Sequence, residues 1–363
     1  MGTIKRTFAN NVLADGKIDA TDLSGTIPAS NIANASVTAV TALPSALGDA
    51  IESVATDPVS PSEGQLWYNT TIGVLKGYIL TSAAWAAGGN LVNARSSLAG
   101  CGTQTAGLAF GGFTTVVTNV TEEYNGSSWT AGGNLGTSRY APAGLGTQTA
   151  GLAISGFTSA GNQTNTSEEY DGSTWTAGGT IGTARYRFPG AGIQTAGLVF
   201  GGSTSPGTVR KNLTEEYNGT SWSPGGNLNT TRNALAGAGT QTAGLAFGGY
   251  TTTSTSNATE EYDGSVWTTS PGSLNTARGY LGGAGTQTAA LGFGGNTPTI
   301  TGATELYDGT SWTNTSSLGN SMATGASAGT QTSALYAGTE TSPKARTEEF
   351  TGAFLSTKKV TLT

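Results

Sequence analysis

Residues 102–149 read GTQTAGLAFGGFTTVVTNVTEEYNGSSWTAGGNLGTSRYAPAGLGTQT, a stretch that begins and ends on the same four letters. GTQT reads as a turn. TAGLAFGG reads as a strand with Leu108 and Phe110 on one face and Gly107 and Ala109 on the other, because side chains alternate along extended backbone. Large residues on one face and small ones on the other suit sheets stacked face to face. Gly111-Gly112 closes that strand with a pair that tolerates positive φ or a close backbone approach. TEEY is a third strand, and Asn125-Gly126 after it predicts a tight type I′ hairpin with φ > 0 at both residues. The next strand carries Trp129, and APAGL, before the second GTQT, opens the next cycle.

Working outward, the cycle repeats from residue 85 to residue 350. Tryptophans stand at 85, 129, 175, 222, 267 and 312, spaced by 44, 46, 47, 45 and 45 residues. The GTQT turn recurs from Gly102, Gly146, Gly192 (as GIQT), Gly239, Gly285 and Gly329. The Glu-x-aromatic strand ends at Tyr124, Tyr170, Tyr217, Tyr262, Tyr307 and Phe350. An arginine follows the Trp strand at Arg95, Arg139, Arg185, Arg232 and Arg278, and Met322 takes its place in the sixth copy. Four strands per unit of about 45 residues is the signature of a propeller blade.

The Gly-Gly pair closing the second strand, the aromatic in the third, the Trp in the fourth and the following Arg together resemble the kelch repeat. The resemblance covers about three-quarters of the chain, and it implies an all-β fold: a six-bladed kelch-like β-propeller of four-stranded blades. The expected organisation is an N-terminal attachment or oligomerisation segment over 1–60, a connector over 61–77, the propeller over 78–350 and a tail over 351–363. The Trp strand from Tyr78 to Trp85 precedes the first inner strand, so it is expected to complete the last blade and leave no free edge. Two alternatives stay open: closure by FLSTKKVTLT (354–363), and a seventh blade from QLWYNTTIGVLKGYI, which lacks the GTQT and Gly-Gly marks.

Composition narrows the function. Charged residues are 10% of the chain, and 16 basic against 22 acidic residues give a net charge of −6. That balance argues against nucleic acid and against anionic membranes, both of which want clustered Lys and Arg. The one cysteine, Cys101, excludes an intramolecular disulfide; it aligns with Leu145, Ala191, Ala238, Ala284 and Ala328 and reads as a small inner-strand residue. No apolar run reaches the roughly 18 residues of a membrane span, and MGTIKRTFANN lacks a secretory core. Arg6 stands where a myristoylation signal wants Ser or Thr.

Histidine is absent, which argues against zinc or copper sites, including the copper centre of the kelch-bearing galactose oxidase. No cofactor and no metal is expected. The paired glutamates at 122–123, 168–169, 215–216, 260–261 and 348–349 offer the carboxylates of a glycosidase. An active site occurs once, however, and these recur in nearly every copy. We read Glu122, Glu168, Glu215, Glu260, Glu305 and Glu348 as partners of the repeating arginines that brace neighbouring blades. Asp171-Gly172-Ser173-Thr174-Trp175 lacks the residue that the sialidase Asp-box places between Asp and Gly. The chain is expected not to be an enzyme.

Variation is confined to the stretch between the second and third strands and the stretch after the repeating Arg. Strand direction places both on one face, with the GTQT and Asn/Asp-Gly turns on the other. That face gathers Phe113, Tyr140, Phe157, Tyr186, Arg187, Phe188, Tyr250 and Tyr280 among hydroxyl and amide side chains, which suits a sugar or a protein surface. Local packing of the aromatics with drifting loops is the plainer reading.

Residues 1–60 share none of the repeat, and Leu43, Leu47, Ile51 and Val54 fall at helical spacing after Ser45. Such a segment cannot bury a core alone. SGTIPASNI with SEGQLWYNTTIGVLKGY is similar to the N-terminal regions of bacteriophage tail-fibre and related virion proteins, which attach a recognition domain to the particle. That resemblance implies a virion location, contacts to other virion proteins through residues 1–60, a homo-oligomer, and a host-surface glycan or protein as the distal partner, with neither nucleic acid nor membrane insertion involved. A virion decoration protein without host binding and a free-standing kelch interaction module are the alternatives.

Overall fold

The computed structural model describes residues 51–158, 161–205 and 209–360, and every regular element among them is a β-strand. The chain divides into two units, one comprising residues 84–352 and the other formed by the flanking segments before and after it.

The 84–352 unit is propeller-like, built from four-stranded antiparallel sheets. Sheet 1 consists of Ala99–Gly102, Gly107–Phe110, Thr121–Tyr124 and Trp129–Ala131, hydrogen-bonded in that order. Sheets 2 to 5 repeat the pattern, with first strands Ala143–Thr147, Gly190–Ile193, Ala236–Gly239 and Gly282–Gly285. Sheet 6 takes Ala326–Gly329, Ser333–Ala337 and Thr347–Thr351 from the end of the unit and Ala84–Ala87 from its beginning, with Trp85 opposite Phe350. The first strands of successive sheets lie side by side, and that of sheet 6 lies beside that of sheet 1.

Alternation of large and small residues explains the stacking. Leu108 and Phe110 join Cys101, Leu135, Ala153 and Tyr170 towards sheet 2, while Ala109 joins Ala326, Ala328 and Leu335 of sheet 6. A Cβ on Gly107 would lie 2.6 Å from Leu335 Cδ2, so the small face has no room to spare. First strands meet backbone against backbone: a Cβ on Gly144 would sit 2.9 Å from the Gly100 carbonyl oxygen. Interiors packed this tightly feel even a single methyl group.

The hairpin between third and fourth strands differs from the sequence expectation. Tyr124 pairs with Trp129, so four residues make the loop, and only its glycine, Gly126, has positive φ. The Asn125 side chain explains this, since its Oδ1 accepts the N–H groups of Ser127 and Ser128 and closes an Asx turn. Asp171, Asp263 and Asp308 do the same, and the N–H and hydroxyl donors of these turns hold each carboxyl below its usual range.

The second unit differs from the connector and tail anticipated for 61–77 and 351–363. Leu66–Asn69 pairs with Val74–Thr81, which pairs in turn with Phe354–Lys359, and Glu52–Val54 adds a parallel edge. The strand expected from Tyr78 to Trp85 is therefore two strands in different sheets, broken between Thr81 and Ala84. The helical spacing that included Ile51 and Val54 is not followed there, because Glu52–Val54 is extended; the rest of that segment lies outside the described residues. Asp57 accepts hydrogen bonds from Trp67, Asn69 and Lys76, whose donors lower its pKa to about 2.

Candidate functional site

The junctions between sheets of the 84–352 unit draw on the same three polar contacts, one present at all six and each of the others at five. The glutamine of each GTQT turn donates to two carbonyls of the preceding sheet. Gln148 bonds Gly107 O at 3.0 Å and Tyr124 O at 2.7 Å, and Gln104 bonds Ala334 O at 3.2 Å and Phe350 O at 2.6 Å. Gln194, Gln241, Gln287 and Gln331 do likewise. The tyrosine of each third strand donates to the second glutamate of the preceding sheet: Tyr124 to Glu349, Tyr170 to Glu123, Tyr217 to Glu169, Tyr262 to Glu216 and Tyr307 to Glu261. At the remaining junction Phe350 and Leu306 replace both members of the pair. The Trp indole N–H reaches a threonine of the preceding sheet, as in Trp129 to Thr347 and Trp175 to Thr121. Trp222, opposite Ser167, has no such partner and is left buried and unsatisfied.

The repeating arginines are fully buried. Arg95, Arg139, Arg185, Arg232 and Arg278 pair with Glu122, Glu168, Glu215, Glu260 and Glu305. Each glutamate also accepts backbone N–H groups from the loop that enters its sheet, as Glu122 does from Val92 and Asn93. The pair thus ties the crossing loop to the third strand. Burial lowers the guanidinium pKa values and the facing glutamates raise them. Glu348 has no arginine and accepts from Gly319 N, Asn320 N and Asn320 Nδ2.

At the opposite end the two varied stretches of each repeat meet. Ser96 bridges Phe113, Tyr140 pairs with Phe157, Tyr186 with Ser203, Asn233 with Tyr250 and Gly279 with Asn296. Phe113, Tyr140, Phe157 and Tyr186 form a continuous run, with the Tyr140 and Phe157 rings stacked at 5.4 Å. Phe113 is exposed, and Tyr140, Phe157, Arg187, Tyr250 and Tyr280 are half-buried. Tyr186 and Phe188, grouped with them from sequence, are buried: Phe188 packs with Leu145, Ile154 and Val199, and the Arg185 guanidinium lies over its ring. They support the face from beneath instead of lining it.

The first strands surround a central cavity of about 240 Å³. Its mouth on the varied end is drawn in by a ring of backbone hydrogen bonds. Ala141 N donates to Ser97 O, Arg187 N to Ala141 O, Ala234 N to Arg187 O, Tyr280 N to Ala234 O, Thr324 N to Tyr280 O and Ser97 N to Thr324 O, at 2.7–3.1 Å. All six residues have φ between 50° and 63°, a strained region for side chains other than glycine. Sequence reading missed this ring. Its only trace is position, two residues after each repeating Arg or Met322.

Cys101 lines the cavity, yet its thiol is buried and pushed up to about 12. Among the described residues no three His, Cys, Asp or Glu side chains gather to hold a metal ion. No family model matches the chain, and no curated protein is significantly similar to it.

Proposed function

We propose that residues 84–352 form a closed six-bladed, kelch-like β-propeller that acts as a recognition module without bond-making chemistry, carried by a bacteriophage virion protein of the tail-fibre or adsorption type. Closure is supported by the contacts that run from sheet 6 to sheet 1: Ala84–Ala87 within sheet 6, Gln104 onto Ala334 and Phe350, and Ser97 onto Thr324. In this reading residues 1–60 attach the module to other virion proteins as part of a homo-oligomer, and the varied end meets a host-surface glycan or protein.

The observation that carries the reading is the division between the ends. Constant side chains are spent on clamps between sheets, whereas the varied stretches pair with each other and hold part-exposed aromatics among Thr, Ser and Asn. Aromatic faces next to short hydroxyl and amide groups suit sugars. Single contacts of this kind are weak, so adhesion requires several copies acting together.

The test is adhesion of the full-length protein to host cells. Tyr140→Ala with Phe157→Ala should abolish most of it while lowering the melting temperature by only the few degrees that one lost aromatic pair costs, whereas Thr147→Lys with Thr240→Lys on the constant end should leave it intact. The reverse pattern would place the site on the other face.

A further inference from the structure

Among the six residues of the left-handed ring, four are small: Ser97, Ala141, Ala234 and Thr324. The other two, Arg187 and Tyr280, are large, and both face the mouth of the central cavity. The Arg187 guanidinium lies 5.3 Å from the Tyr186 ring and 5.2 Å from the Tyr280 ring, so it spans the Ala234 position that separates them in the ring. Tyr250 leans on Tyr280 at 5.4 Å, Arg210 Nε donates to Asn233 Oδ1 at 3.2 Å, and burial raises the Tyr280 hydroxyl pKa, which keeps it protonated. The ion pairs among the described residues are Lys76–Asp57 and the five buried Arg–Glu pairs; Arg187 is in none of them. Glu340 is the carboxylate that acts on Tyr250 and Tyr280, and it makes no ion pair with Arg187. The Arg187 fork lies against two rings, and among the described residues its guanidinium makes no hydrogen bond or ion pair.

We propose that the axial mouth binds the carboxylate of an acidic sugar, with Arg187 gripping the carboxylate and Tyr280 and Tyr250 flanking the ring. A planar guanidinium matches a carboxylate with two parallel hydrogen bonds. The cavity, at about 240 Å³, falls below the roughly 300–1,000 Å³ of pockets that enclose drug-sized ligands, so it takes one terminal group and not a length of peptide. Its depth is lined by the Gly- and Ala-rich first strands, which leaves the charge selection to the mouth. The inference rests on the carbohydrate form of the proposed function and names the sugar class within it.

The probe is sodium glucuronate against methyl glucoside, titrated into the full-length protein and followed by calorimetry and by NMR of the sugar. Glucuronate should bind at least roughly tenfold more tightly than the neutral sugar, a difference of about 1.4 kcal/mol. Arg187→Ala should abolish that preference. Alanine already occupies the same left-handed position at Ala141 and Ala234, so the variant keeps the fold, and an unchanged melting temperature checks this. Equal binding of the two sugars, no binding of either, or glucuronate binding that survives Arg187→Ala overturns the proposal. Loss of adhesion in the Tyr140/Phe157 variant alongside any of those results would leave the broader recognition reading standing.

Discussion

Sheet 4 and sheet 6 solve the same problem with different residues. In sheet 4, Glu260 accepts the Asn229 N–H and the guanidinium of Arg232, which also bonds the Gly248 and Ala258 carbonyls. In sheet 6, Met322 fills the arginine position, and Glu348 is held by two backbone N–H groups and the Asn320 amide. The carboxylate is therefore the constant element, present in all six sheets to hold the entering loop, and the arginine is a reinforcement that a well-placed amide can replace. A buried charge is tolerated when donors surround it, whatever their source.

Converting sheet 4 into a copy of sheet 6 is the harshest way to break that equivalence. Asn229 Nδ2 is committed to the Trp267 carbonyl, so Arg232→Met leaves Glu260 with a single backbone donor. The variant should lose about 3–5 kcal/mol, read from the midpoint of urea unfolding. A loss below about 1 kcal/mol would mean that the loop alone holds the carboxylate.

A second comparison sets the junction between sheets 5 and 6 against its neighbours. Phe350→Tyr alone would press a hydroxyl on Leu306 and cost about 1–3 kcal/mol, because the new donor is buried without a partner. Adding Leu306→Glu should recover most of that loss, with a coupling of about 0.5–3 kcal/mol in the double-mutant cycle. Additive effects would show that the tyrosine–glutamate contact is incidental. The same contacts set the alkaline limit. Burial, and then the glutamate, pushes the hydroxyls of Tyr124, Tyr170, Tyr262 and Tyr307 from 10.0 up to about 12. A proton held more tightly in the folded than in the unfolded chain stabilises the fold below pH 10 and ceases to do so as pH climbs to about 12. Thermal unfolding should therefore shift little up to pH 10 and fall beyond it, more steeply once Phe350→Tyr and Leu306→Glu add another such pair.

The smallest effect is a repair. The Ser167 hydroxyl is turned to the Gly179 carbonyl; Ser167→Thr, with its hydroxyl placed as Thr121 places its own, would accept from the Trp222 indole for a gain of up to about 1 kcal/mol in thermal unfolding. No gain would trace to the register shift between Thr166 and Glu168, which displaces that strand.

Repetition made much of this legible. Six copies of one sentence expose the strand order, the large–small alternation and the arginine–glutamate pairing, because anything the stack demands must recur. What recurs without an obvious chemical partner was harder to read. The GTQT glutamine looked like a turn residue, since its acceptors are carbonyls some 24 and 41 residues away for Gln148 and leave no side-chain signature. The paired loss of Tyr and Glu at Phe350 and Leu306 was visible in the letters, but only the stacking order says that sheet 6 meets sheet 5. Of the candidate site, the sharing of one end by both varied stretches followed from strand direction. The burial of Tyr186 and Phe188 did not, because an aromatic after a buried arginine can turn either way, and neighbouring sheets decide which.

The composite sheet 6 has a consequence for how the chain comes off the ribosome. Ala84–Ala87 is made early, yet its partner Thr347–Thr351 follows roughly 260 residues later, about 13–50 s at ordinary elongation rates. Through that interval sheets 1 to 5 can stack one upon another as they emerge, while the early strand waits with its pairing edge bare. Its brevity, four residues rich in alanine, keeps that edge a poor template for other nascent chains. The last sheet to be completed is thus the one whose first-made strand has waited longest.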